Sequence, residues 1–390
     1  MAKIIPEIET AARIKVIGIG GSGKNALNHM MENKVRAVEF VAMNTDVQDL
    51  HNSLAEKKIH LGKNLTKGLG AGMNPELGAR AAEETKAEIQ DAVKGADMVF
   101  IACGMGGGTG TGAASVVARA AKEQGILTVA VVTKPFFFEG NQRMRIAEQG
   151  IADLEKEVDA IIVIPNDRLL AIAGKDTTFK DAFAKCDEVL RQAVEGISEL
   201  IASPGIINVD FADMKSVLTD AGTALMGVGF ASGDGRAEKA AIQAINSPLL
   251  DISINGAKGV LFAISSNDDL TMAEFQDAAK VITESIDKDA RVIIGTILDE
   301  RIKKGEMKIT VIATGFPSDS GKKGTLFNPS GRELFNRQDT GSGDRSDEVK
   351  PMVQKPEIKP MDAELADNEG VDEDLDNFGA IPAFLRRNKK

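Results

Sequence analysis

Two glycine-rich runs carry the chemistry most visible in this sequence. The first, Gly18-Ile-Gly-Gly-Ser-Gly-Lys-Asn25, adjoins the apolar stretch Arg13–Ile19. Gly18, Gly20 and Gly23, with Glu39 about twenty residues on, fit a dinucleotide-binding fingerprint. Gly18, Gly23 and Lys24 fit a P-loop equally, although Asn25 stands where Ser or Thr would hold Mg²⁺. Both readings use the same physics: glycines let backbone N–H groups approach phosphate, and the helix that follows presents its positive end. The second run, Gly104-Met-Gly-Gly-Gly-Thr-Gly-Thr-Gly112, follows the apolar stretch Asp97–Cys103 and holds six glycines in nine residues. Such a segment is costly to order and builds no core. Thr109 and Thr111 add hydroxyls to it. Two such loops in one unit point to a single nucleotide whose phosphates are held from two sides. Asp210 and Asp213 lie three apart at a predicted helix start, where acidic residues ordinarily cap the helix and complement its dipole. Three scattered histidines and two cysteines form neither a zinc spacing nor a disulfide framework, so no protein-bound metal is expected.

These loops need elements to hold them. Strands are predicted at Arg13–Ile19, Val38–Met43, Asp97–Cys103, Ile126–Thr133 and Asp159–Ile164, with Ala-, Glu- and Lys-rich helical stretches between them. Continuous apolar runs are what a parallel sheet covered on both faces requires. The first unit, residues 13–177 after a flexible start at 1–12, therefore reads as a doubly wound, Rossmann-like α/β domain. A long central helix over 178–205 is capped by Thr178 with Asp181, carries Leu190, Ala193, Val194, Ile197 and Ile201 at helical spacing, and ends at Pro204 and Gly205. A second, α+β unit spans 206–316, with strands at Gly259–Ser265, Arg291–Leu298 and Lys308–Thr314 and helices at Arg236–Asn246 and Met272–Ile286. Composition then shifts to Pro, Ser, Gly, Asp and Lys, which predicts a disordered linker over 317–371. Residues 372–390 combine acidic Asp372 to Asp376, the anchors Phe378, Ile381, Phe384 and Leu385, and a basic end, a pattern suited to a partner-binding peptide.

Composition narrows the function classes. The formal net charge is −11 and the chain has no Trp or Tyr, which argues against nucleic-acid binding. No stretch nears about 18 consecutive apolar residues, and no signal-like N-terminus is present, so a soluble cytosolic protein without its own membrane anchor is expected.

The run Gly106 to Gly112 resembles the signature of the tubulin/FtsZ superfamily. Asn44-Thr-Asp46, Gly68-Leu-Gly-Ala-Gly72, Pro135-Phe-Phe-Phe-Glu-Gly140, Ile164-Pro-Asn-Asp167 and Asn208-Val-Asp-Phe-Ala-Asp213 resemble segments of that family in the family's order. Ile381-Pro-Ala-Phe-Leu-Arg386 is similar to the C-terminal peptide of its bacterial division members. The resemblance implies a GTPase that polymerises head-to-tail into filaments of a mid-cell division ring, using GTP/GDP and Mg²⁺. It implies that Gly21, Ser22, Gly23, Lys24 and Asn25 line the phosphates and base edge, that Gly108, Thr109 and Gly110 bind phosphate, and that Ala71 and Gly72 sense the γ-phosphate. Glu139 and Arg143 would hold the ribose side, Phe183 would stack on guanine and Asp187 would accept its N–H groups. Asn44, Gly104, Gly107, Thr111 and Asn166 complete the implied pocket. Asp210 and Asp213, assisted by Asn208, would act as catalytic residues in the pocket of the next subunit. The peptide Asp372–Arg387 would recruit membrane-tethering or regulatory division proteins such as FtsA or ZipA. Read without the family, Phe136, Phe137 and Phe138 are mostly core, and Glu139 and Arg143 are a solvated helix pair. Lys24 departs from the family pattern, either adding a phosphate contact or pointing to solvent, and Ala221 stands where many relatives carry Met. A nicotinamide-dependent oxidoreductase built on Gly18–Gly23, and a nonhydrolysing regulatory relative, are the competing readings.

Overall fold

A computed structural model describes residues 12–172, 177–202, 205–247, 254 and 256–316. Pro204, the expected linker and the expected C-terminal peptide lie outside the described residues.

The first unit alternates strand and helix. In chain order it runs β1 (Ile14–Ile19), α1 (Gly20–Glu32), β2 (Val38–Asn44), α2 (Val47–His51), β3 (Lys57–His60), α3 (Lys63–Thr66), α4 (Pro75–Glu84), α5 (Lys86–Val93), β4 (Met98–Gly104), α6 (Thr109–Lys122), β5 (Leu127–Lys134), α7 (Asn141–Glu155), β6 (Ala160–Pro165) and α8 (Asn166–Ile172). Next come the long α9 (Phe179–Ala202), then α10 (Phe211–Leu218), β7 (Gly222–Ser232), α11 (Arg236–Ile245), β8 (Gly259–Ser266), α12 (Met272–Thr283), β9 (Arg291–Leu298) and β10 (Glu306–Thr314). The predicted strands are all present, within one or two residues at their ends. Two strands, β3 and β7, are additional to the sequence reading.

The strands form one sheet in the order β3-β2-β1-β4-β5-β6-β7-β10-β8-β9. β1 to β6 are parallel to one another. β7 continues the sheet through a short parallel ladder from Ala160↔Gly222 to Ile162↔Ala224, and then pairs antiparallel with β10. Every residue of β5 is buried, as a strand covered on both faces requires. Neighbouring residues of β1 serve opposite layers. Val16 packs with Leu27, Leu190 and Val194 under α1 and α9. Ile17 packs with Val117 and Leu154 under α6 and α7. A third core, with Phe262, Ile264, Ile282 and Ile309, supports the second unit.

The helix α9 is locked at both ends by charge. At its start, Asp181 N donates to Thr178 Oγ1 at 3.2 Å and Thr178 Oγ1 donates to Asp181 Oδ2 at 2.6 Å, the predicted cap. Next, Glu188 Oε2 meets His29 Nε2 of α1 at 3.0 Å and also accepts from Arg191 Nε at 2.7 Å. Burial opposes the charge on Glu188, but hydrogen bonds from Arg191, His29 and Gln192 outweigh it and hold the carboxyl at about 2. Two turns on, the buried Glu195 bonds Arg191 and, at 3.0 Å, Arg301 Nη1; Arg301 also bonds Glu199. Lys308 of β10 lies 3.9 Å from Glu195 and 3.8 Å from Glu199. Buried charges persist only when paired in this way.

In β7, Gly227 and Gly229 exist because α11 lies directly on them. A Cβ on Gly229 would lie 2.0 Å from the carbonyl oxygen of Ala240. Gly229→Ala should therefore destabilise the protein by about 1–3 kcal/mol, as overpacking does. Urea unfolding reads this directly, and an unchanged midpoint would mean that α11 does not rest on β7.

Candidate functional site

The glycine loops meet at the C-terminal edge of the parallel strands, where open α/β sheets form their ligand crevice. β1 leads into α1, and β4 leads through Gly104–Gly108 into α6. Gly20 adopts φ +72°, and a Cβ there would lie 3.2 Å from Gly110 N, so the two loops are in contact. The side chain of Ser22 crosses to the second loop, with Oγ 2.7 Å from where a Cβ on Gly104 would be. A third loop closes on the second: Gly108 N donates to Gly72 O at 2.7 Å. Around Gly72 and Gly107 a Cβ would meet nothing within 4 Å.

The electrostatics of this corner follow from what it lacks. Neither α1 nor α6 has a side-chain cap or an acidic residue in its first turn. Neighbouring α2 and α4 are capped conventionally by Asp46 and Asn74. Two adjoining helix starts thus leave backbone N–H groups and positive dipole ends for an anion.

Asn44, at the end of β2, extends the site. Its Nδ2 donates to Asp49 Oδ2 at 2.8 Å, and Lys24 Nζ sits 2.7 Å from Asp49 Oδ1. Lys24 is buried, so of the two alternatives read from the sequence it does not point to solvent; its charge is taken up by Asp49. The free lysine of a P-loop does not describe it. Thr45 Oγ1 and Thr109 Oγ1 are 2.5 Å apart, joining this segment to the second loop. Thr111 turns inward, and its Oγ1 accepts from Gly106 N at 2.9 Å. The dinucleotide reading is also corrected. Glu39 pairs with Lys15 near the start of β2, its Oε2 3.4 Å from Lys15 Nζ. It stands roughly 13 Å down the strand from the loops, at the wrong edge for a ribose.

The far end of the crevice is aromatic and partly desolvated. Phe136 is buried and meets Phe183 edge-on at 5.2 Å. Phe137 and Phe138 are 73% and 46% exposed, so the core placement read without the family holds for Phe136 and not for these two. They sit on a turn whose backbone is tied to Glu139, with Phe136 N donating to Glu139 Oε1 at 2.9 Å. Arg143 Nη1 meets Glu139 Oε2 at 3.0 Å; the Glu139 side chain is only 14% exposed and that of Arg143 40%, so the pair is solvated on its arginine side alone. Arg143 packs against Gly106 of the second loop, and its Nε is buried without a hydrogen-bond partner. Asn166, the first residue of α8 directly after β6, is buried with its Oδ1 also unpartnered. Buried polar atoms of this kind are ordinarily satisfied, and a bound ligand is one way to do so. Burial pushes the Asp187 carboxyl on α9 up to about 6, against the opposing pull of His29 and Lys24.

Asp210, Asp213 and Asn208 stand elsewhere. Asp210 caps α10, its Oδ1 accepting from Asp213 N at 2.7 Å, while Asn208 Oδ1 accepts from Gly205 N at 2.8 Å. All three are exposed. Asn208 and Asp213 line a surface cleft of about 610 Å³ with Ser216 and Arg291 to Ile294. From Asp187 to Ala202, α9 rises roughly 22 Å, which carries this loop out of reach of the glycine crevice in the same chain. Among the described residues no cluster of three His, Cys, Asp or Glu could hold a metal, and no helix is long and apolar enough to cross a membrane. Thr45 and Asp49 belong to the site without having been singled out from the sequence. Asp49 lies one helical turn beyond the segment Asn44–Asp46, and nothing in its spacing marks it.

Comparison with known proteins places this geometry. Residues 13–174 match the family model "Tubulin/FtsZ family, GTPase domain", and residues 222–317 match "FtsZ family, C-terminal domain". The fold is similar to that of an FtsZ dimer from M. jannaschii, with 44% identity, a TM-score of 0.75, and coverage of 79% of this chain and 89% of that one. It also shares its fold with CetZ2 of Haloferax volcanii, solved as a GTPγS-bound protofilament, at 22% identity, a TM-score of 0.66, and coverage of 77% and 92%.

The Asp187 carboxyl generates a pH prediction. A ligand whose N–H groups donate to Asp187 needs the carboxylate, and that form is lost as pH falls through about 6. GTP affinity should weaken about fourfold between pH 7.5 and pH 5.5, and Asp187→Asn should remove that dependence. Titration with fluorescent GTP at both pH values measures this; a flat profile in the unmodified protein would remove Asp187 from base recognition.

Proposed function

Because the chain belongs to the FtsZ family of tubulin-like GTPases, and so binds and hydrolyses GTP, we propose that its hydrolytic site is completed only between two copies of the chain. The observation that carries this reading is the separation of Asp210 and Asp213 from the glycine crevice by the length of α9.

In this reading the backbone N–H groups of Gly21, Ser22, Thr109 and Gly110 hold the phosphates, with Gly108 shaping the loop through its bond to Gly72 and with Ala71 and Gly72 beside the γ-phosphate. Asp187 accepts from guanine, Phe183 lies against the base, and Glu139, Arg143 and Asn166 orient the ribose side. A second copy brings Asp210, Asp213 and Asn208 to the γ-phosphate. There the carboxylates orient a water for in-line attack on phosphorus, as the bond to the GDP oxygen breaks. Phosphoryl transfer depends mainly on such positioning and on charge stabilisation. In this reading Mg²⁺ would arrive on the nucleotide's phosphates, which the uncapped starts of α1 and α6 would hold. Mg²⁺ held in this manner uses few protein carboxylates, and it would screen phosphate charge during transfer.

Exposed apolar side chains support a head-to-tail contact. Leu69 and Phe137 are exposed at the crevice, and Ile206 and Ile207 beside the carboxylate loop. A heterologous contact that does not close grows filaments. GTP would favour such filaments and hydrolysis would loosen them, giving a cytoplasmic division ring at mid-cell. Asp372–Arg387 would tether the filament through proteins such as FtsA or ZipA.

Two outcomes are expected. Asp213→Ala should lower turnover by at least about a hundredfold while leaving GTP affinity within about twofold. Loss of binding would instead put Asp213 in its own chain's pocket. GTP turnover per molecule, followed by phosphate release against protein concentration, should rise from a threshold. A constant specific rate down to the lowest concentration would rule out the shared site.

A further inference from the structure

The pair formed by Lys24 and Asp49 carries an inference that rests on the reading of the crevice as a nucleotide site. Lys24 is the only Lys or Arg in α1. Its side chain is 10% exposed, and its Nζ is spent on Asp49 Oδ1 at 2.7 Å. Asp49 cannot swing away. Asn44 Nδ2 holds its other oxygen at 2.8 Å, and its backbone N donates to Asp46 Oδ1 at 3.1 Å within α2. That second oxygen lies 3.5 Å from where a Cβ on Gly21 would be. A fixed carboxylate therefore stands against the first turn of α1, whose start has no capping side chain and no acidic residue of its own. Unpaired, it would repel any phosphate held there and offset the favourable helix end.

We propose that Lys24 is a positioning residue that sets nucleotide affinity by cancelling the charge of Asp49 beside Gly21, and that it is not itself a phosphate ligand. Lys24 also helps pull the Asp187 carboxyl down, so its charge is felt at the base end as well. An ammonium fully engaged by a carboxylate has little left to offer a phosphate. Its effect is to make the corner neutral, so that backbone N–H groups and helix ends dominate.

The test compares ligands of rising charge on the full chain. Guanosine, GDP and GTP are titrated calorimetrically against the unmodified protein, Lys24→Met, Asp49→Asn and the double variant. Lys24→Met should weaken GTP about tenfold and GDP about threefold, with guanosine within about twofold. Asp49→Asn should tighten GTP more than guanosine. The double variant should bring GTP back to within about threefold of the unmodified protein. Equal weakening of all three ligands by Lys24→Met would show packing damage and overturn the inference. A double variant as poor as Lys24→Met alone would also overturn it, making Lys24 a direct phosphate ligand. An unmodified protein that binds neither GTP nor GDP would overturn the nucleotide reading itself, before any variant is compared.

Discussion

Backbone must touch backbone for this crevice to exist. A Cβ on Gly78 of α4 would lie 2.2 Å from the carbonyl oxygen of Gly108, and one on Gly112 of α6 would lie 2.0 Å from that of Pro75. These contacts press α4 onto α6 and bring Gly72 within hydrogen-bond reach of Gly108. The three loops are held by this bare packing. Side chains at these positions would force the helices apart and separate the N–H groups that an anion needs. Gly23 does the same for α1, since a Cβ there would lie 2.4 Å from the carbonyl oxygen of Ala102 in β4. The conformational cost of ordering so many glycines is offset by the sheet beneath, whose central strands are buried on both faces.

The helix α9 is the second constraint, and it acts through length. Its first turns contact the aromatic end of the crevice, while its last turn leads to Gly205 and the carboxylate loop. Glu188 ties it to α1, and Glu195 and Glu199 tie it to Arg301 and Lys308 in the second unit. Burial raises the Glu199 carboxyl above its ordinary value, with Lys308 and Arg301 opposing that rise. A helix pinned by buried charge on both sides keeps a fixed rise between the two loops. The spacing between the glycine crevice and the loop of Asp210 and Asp213 is thus a property of one rigid element.

Much of the fold was legible because its signals are local. β4 and β5 are uninterrupted apolar runs, and Thr178 with Asp181 announced the start of α9. β7 was illegible for a physical reason. Its glycines at 227 and 229 break the apolar pattern, yet they are required by a helix that arrives later in the chain. β3 is short, partly exposed and lysine-rich, so it lacks the pattern altogether. Phe137 and Phe138 misled for the opposite reason. Three consecutive phenylalanines read as core, but a tight turn cannot bury three neighbours on one side.

Residue type and order alone determined that two glycine loops follow two apolar strands, and that two carboxylates start a helix after a long amphipathic one. Those are statements about neighbours in the chain, where short-range sterics and hydrogen bonding decide. Only the tertiary structure decided which groups share a site. Lys24 could face phosphate or solvent until Asp49 was brought to it from a different helix, and Glu39 remained a ribose candidate until the register of β2 placed it at the opposite edge. The separation of Asp210 and Asp213 from the crevice likewise depends on the direction and length of α9. Charge acts through space, and distance in space is set by packing between elements that the chain order leaves open.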